Sequence, residues 1–159
     1  MKKLICVISI TLALAAVVWT PKPVEASGAG GAVTGAGRGP LANNTWFGSV
    51  QISGMEIGTG VFIEPDGSAS GPFTALLTGV SALGQAQQIA VDGTVSRGEL
   101  SSAGEAVFSG VAGVSFGNGL PSLSGVPFRV TANGDSVTLT LDSRTLPVAR
   151  LSAGSMTIE

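Results

Sequence analysis

The chain has 159 residues, 44% of them hydrophobic and only 11% charged, with a formal net charge of −2 and neither His nor Tyr. Its Lys residues (Lys2, Lys3, Lys22) and its single Cys6 all fall near the start, so beyond residue 26 the ionisable side chains are carboxylates and Arg alone. That inventory excludes Ser-His and Cys-His nucleophile pairs, Schiff-base and Ser-Lys chemistry, thiolate chemistry and imidazole ligation of a metal. A mildly acidic chain with scattered Arg also lacks the basic footprint of a nucleic-acid binder.

The first 26 residues have the form of a secretory signal peptide. Lys2 and Lys3 precede the uncharged run Leu4–Trp19, and Val24-Glu25-Ala26 supplies a small-x-small exit. The run has sixteen residues, short of the ~20 that a spanning helix needs. Retention as an anchor is the alternative. The pattern predicts export to the periplasm, the cell envelope or the exterior, and the Met-Lys-Lys start has a bacterial look. After cleavage, five Arg would face nine carboxylates, a net charge of −4, with no Cys available for a disulfide.

Residues 27–44, SGAGGAVTGAGRGPLANN, are dominated by Gly and Ala and show no apolar periodicity. Such a stretch reads as a flexible leader. It is not a phosphate-binding loop, because it has no preceding strand, no following helix and no Lys.

From Thr45 onward the period changes to two. Thr45–Ile52 sets Trp46, Val50 and Ile52 on one face, and Ile57–Ile63 sets Ile57, Val61 and Ile63 on one face. Glu64-Pro65-Asp66-Gly67 then has turn chemistry: Pro fixes φ, Asp bonds to nearby backbone and Gly takes positive φ. Two carboxylates do not make a calcium loop, which needs several convergent oxygens. Phe73–Thr78 carries apolar residues on both faces, and Val80–Gln88 is the one stretch with a hint of a helical turn. Gln88–Ser96 sends Ile89, Val91 and Val95 inward. Ala106–Phe116 is again apolar on both faces. Gly125–Ala132 turns Val126, Phe128 and Val130 to one side. Asn133-Gly134 marks a turn before Val137, Leu139 and Leu141, and Met156 and Ile158 end the chain in the same alternation.

These elements predict a single all-β domain over residues 45–159: an antiparallel meander of about eight strands, forming a closed or nearly closed small barrel, with a two-sheet β-sandwich as the alternative. The final strand is placed to pair with the first. An outer-membrane barrel fits poorly, since there is no Tyr and no aromatic girdle.

For catalysis only a carboxylate pair remains, as in glycoside hydrolysis. The candidates Glu56, Glu64, Asp92, Glu99, Glu105, Asp135 and Asp142 fall at turns or on outward faces, so no catalytic residue, metal site or cofactor is expected. The expected function is non-catalytic: contact with another macromolecule or with copies of itself. Ser and Thr after residue 26 number 28 against 14 charged residues, a low charge density for a lone soluble domain. The alternative is a carrier of a small hydrophobic ligand in a hollow barrel, lined by Trp46, Val61, Phe73, Phe108, Phe116, Phe128 and Leu139. Asn44-Thr45-Trp46 resembles the Gly-x-Trp of the first lipocalin strand with Asn in place of Gly. Three residues carry no ligand position over, so the family is not assigned.

Overall fold

The computed structural model describes residues 30–117 and 119–159. The predicted signal peptide, residues 1–26, lies outside them. Ten strands follow in chain order: β1 (Gly31–Phe47), β2 (Val50–Ile63), β3 (Ser68–Ser81), β4 (Ala86–Leu100), β5 (Ala106–Ser115), β6 (Leu123–Asn133), β7 (Ser136–Leu141), β8 (Arg144–Thr145), β9 (Ala149–Arg150) and β10 (Ala153–Ile158). From β1 to β8 each strand pairs antiparallel with the next, which short turns dictate. The two-residue β9 bridges β7 and β1 through Val137–Ala149 and Leu41–Ala149, and Ala42 N–H donates to Val148 O at 2.8 Å. Hydrogen bonding thus passes around eight strands and returns to β1, giving the nearly closed meander that the alternation predicts. The last strand pairs with the first, Val33 opposite Ile158 through Arg38 opposite Ala153.

The flexible leader is corrected. Residues 31–44 belong to β1, the longest strand, held between β2 on one edge and β9 and β10 on the other. Val33 and Leu41 are buried in the core. The glycines here mark close approach of chains rather than disorder. A Cβ on Gly37 would lie 2.8 Å from Leu151, and one on Gly39 would collide with the Arg150 carbonyl.

Three hairpins share one loop design. In Glu64–Ser68, Ser81–Gln85 and Ser101–Glu105 the first residue's N–H donates to the fifth residue's carbonyl at 2.8 Å, and the fourth residue's N–H returns to the first carbonyl at 2.9–3.0 Å. The fourth residue is Gly67, Gly84 or Gly104, with φ between +75° and +82°, the left-handed position that follows a type I turn. In the first loop Ser68 N–H also donates to Asp66 Oδ1 at 2.8 Å. Glu64-Pro65-Asp66-Gly67 is therefore the turn of a hairpin. The hint of helix at Val80–Gln88 is the second of these loops, because the central residues of a type I turn have near-helical dihedrals.

The interior is filled by the chain's own side chains. Phe73 of β3 stacks on Phe128 of β6 with centroids 4.9 Å apart and meets Phe108 of β5 edge-on at 5.9 Å. Val61, Ile89, Val91, Val130, Val137, Leu139 and Leu141 surround this trio, each essentially without solvent exposure. Opposite Phe128, β4 presents Gly93, where a Cβ would lie 2.7 Å from the ring. The missing side chain makes the space that the ring occupies. At mid-height the outward faces carry charge, with Arg38, Glu56, Asp92 and Arg129 all exposed, beside an exposed apolar Val111 on β5.

Candidate functional site

Because every neighbouring pair is antiparallel, the hairpins sort to two ends. The loops after β2, β4 and β6 lie at one end, together with Glu159, which pairs its backbone with Ala32. This end gathers Glu64, Asp66, Glu99, Glu105, Asp135 and Glu159 against Arg97 and Arg150. Here the Ser68 hydroxyl, and then its backbone N–H, hold the exposed Asp66 carboxyl below its ordinary value. The loops after β1, β3, β5 and β7 lie at the other end, where the only charged residues among those described are Asp142 and Arg144. Most of the large exposed apolar side chains collect there: Trp46, Val80, Leu83, Leu120 and Leu123, with Leu83 at 86% exposure on its hairpin tip.

The chain closes this apolar end with an aromatic pair. Phe47, the last residue of β1, stacks on Phe116, just beyond β5, at 6.3 Å and 22°. Beside the pair opens a cleft of about 540 Å³, walled by Phe47, Phe116, Leu123, Val126 and Leu141, with Asp142 and Arg144 at its rim. Its size and apolar walls are those of a binding cleft. Arg144 Nη1 donates to the Trp46 carbonyl at 3.2 Å, tying the β7–β8 turn to β1.

Of the residues expected to line a hollow interior, Val61, Phe73, Phe108, Phe128 and Leu139 are core. Phe116 lines the cleft. Trp46 faces outward at 48% exposure, which corrects its inward placement. The reason is the two-residue turn Gly48-Ser49: Phe47 pairs with Val50, Trp46 with Gln51 and Thr45 with Ile52. Paired residues share a face, so Phe47 points in beside Val50 while Trp46 points out. Gly48, at φ +61°, sits at the first turn position that a tight hairpin reserves for glycine. Read as one continuous strand, Thr45–Ile52 hides this reversal.

Among the acidic candidates, Glu56 and Asp92 border one outer groove of about 370 Å³ over Gly58 and Thr74. They sit on β2 and β4 with β3 between them. Two strand spacings and a two-residue offset in register separate their backbones by roughly 12 Å, and both side chains are exposed. No group of three or more His, Cys, Asp or Glu able to hold a metal forms among the described residues. No family model matches the chain, and neither a curated protein nor a solved structure is significantly similar to it.

Proposed function

We propose that this is a non-catalytic docking domain that works through its apolar end. The observation that carries the reading is the segregation itself: exposed Trp46, Val80, Leu83 and Leu123 and an apolar cleft at one end, carboxylates at the other. Exposed apolar clusters of this kind mark interaction surfaces, since water penalises them unless something covers them. The partner is another macromolecule or a second copy. The outward mid-height charges support a domain that does not span a bilayer, because a lipid-spanning barrel has the reverse polarity. The basic, apolar and small-residue pattern of residues 1–26 supports placing the domain outside the cytoplasm.

A carrier role, moved from the packed interior to the cleft, is the second reading, and the apolar walls beside Arg144 favour it. The apolar dye ANS tests the first reading. The folded domain should bind it, and Leu83→Asp with Leu123→Asp should abolish the signal while Phe62→Asp, on an outward face elsewhere, leaves it intact. Equal loss with Phe62→Asp would remove the apolar end from consideration. Saturable binding of a fatty acid that is blind to Leu83→Asp but lost in Phe116→Ala would favour the carrier.

A further inference from the structure

We infer that the occupant of the apolar end is a lipid surface, a conclusion that rests on the docking reading above. Three features select lipid over a second copy of the chain. First, the apolar side chains stand on separate elements: Trp46 near the β1–β2 turn, Val80 and Leu83 at the β3–β4 hairpin, Leu123 at the start of β6. Leu83 stands in a hairpin loop at 86% exposure. A self-complementary dimer face needs a contiguous, close-fitting patch, whereas separate projecting tips can enter a fluid interface independently. Second, the register places Trp46, Gln51 and Val80 side by side on the outer face of β1, β2 and β3. An indole one step behind the loop tips, level with Val80, has the place that Trp prefers at a membrane–water boundary. Third, charge follows the same axis. Asp142 and Arg144 balance at the apolar end, while the six carboxylates at the opposite end would face water when the loops enter lipid.

The same charge layout fixes the kind of lipid binding. Among the described residues the apolar end has no cluster of Lys or Arg to draw it to anionic headgroups. Attachment comes from burying apolar area. It should therefore tolerate neutral lipid and change little with salt.

The test uses residues 30–159, which carry the hydrogen-bond ring and the core cluster. Trp46 is then the sole tryptophan. Co-sedimentation with phosphatidylcholine vesicles should be saturable and no weaker than with vesicles containing phosphatidylglycerol. Trp46 emission should shift to the blue and be quenched by phosphatidylcholine brominated near the headgroup. Leu83→Asp should weaken binding about tenfold, the pair with Leu123→Asp should remove it, and Phe62→Asp should leave it unchanged. Both leucines are exposed, so an unchanged Tm verifies that the variants fold. No binding to either vesicle, or binding that Phe62→Asp weakens equally, overturns the inference. If vesicles fail but ANS binding and concentration-dependent dimerisation both vanish in the double variant, the docking reading stands and the lipid occupant falls. If the double variant changes none of these, both fall.

Discussion

Gly93→Ala is the sharpest perturbation of the core. The new Cβ would lie 2.7 Å from Cε1, 3.0 Å from Cζ and 3.3 Å from Cδ1 of Phe128. That ring cannot withdraw freely, because it stacks on Phe73 at 4.9 Å and Phe73 is wedged against Phe108. Overpacking of this kind costs about 1–3 kcal/mol. Replacing a strand glycine by Ala returns roughly 0.5–1 kcal/mol of backbone entropy. The net loss should be about 1–2 kcal/mol, a fall in Tm of about 3–10 °C for a domain of this size. Urea unfolding with the linear extrapolation measures it. A double-mutant cycle isolates the cause: Phe128→Leu shortens the ring side of the contact, so the two changes together should cost less than their sum by about 1 kcal/mol or more. Gly60→Ala is the control, since its Cβ would meet nothing within 4 Å, and it should be neutral or stabilising by up to about 1 kcal/mol. A neutral Gly93→Ala, or strict additivity with Phe128→Leu, would refute a filled interior built around the Phe73–Phe108–Phe128 trio.

Four further outcomes are expected. Gly67→Val forces a β-branched residue to φ +82° and should cost about 2 kcal/mol by thermal melting; no loss would contradict the shared hairpin geometry. Asp66→Asn should barely change Tm at neutral pH. Because the Asp66 carboxyl is held below its ordinary 3.8, whatever stability it adds is present above that value and disappears as pH falls through the lower folded value. The variant should therefore have a slightly flatter acid limb as pH falls below the ordinary carboxylate value, and an identical limb would dispute the Ser68 hydrogen bonds. A chain beginning at Thr45 loses Val33, Leu41 and the β9 and β10 ladders, and circular dichroism should show no cooperative transition. A sharp transition would restore the flexible leader. Glu56→Gln with Asp92→Asn should leave dye and vesicle binding unchanged, whereas substrate turnover lost in that pair would overturn the non-catalytic reading.

Much of the architecture was legible because alternation is a strong signal wherever the inward residues are large. Ile89-x-Val91 and Val137-x-Leu139-x-Leu141 could face only the core, and all five are buried. Pro65-Asp66-Gly67 carried its own turn chemistry. β1 was not legible, because its inward positions alternate among Val33, Gly35, Gly37, Gly39 and Leu41, and glycine leaves no hydrophobic mark even where close packing demands it. Trp46 was misplaced because a two-residue turn reverses the phase of alternation without interrupting the apolar pattern. The candidate site was illegible for a different reason. Phe47 and Phe116 lie far apart in sequence yet stack, and Leu83 and Leu123 share an end only because every strand reverses direction. No local pattern records that. It requires the strand order.

Hydrogen–deuterium exchange on the domain with and without phosphatidylcholine vesicles bears most directly on where this protein works. Protection should rise in the loops around residues 46–49, 80–85 and 119–124, with the acidic end and the Glu56–Asp92 groove unchanged. Protection centred on the acidic loops or on that groove, with the apolar loops unaffected, would contradict the account.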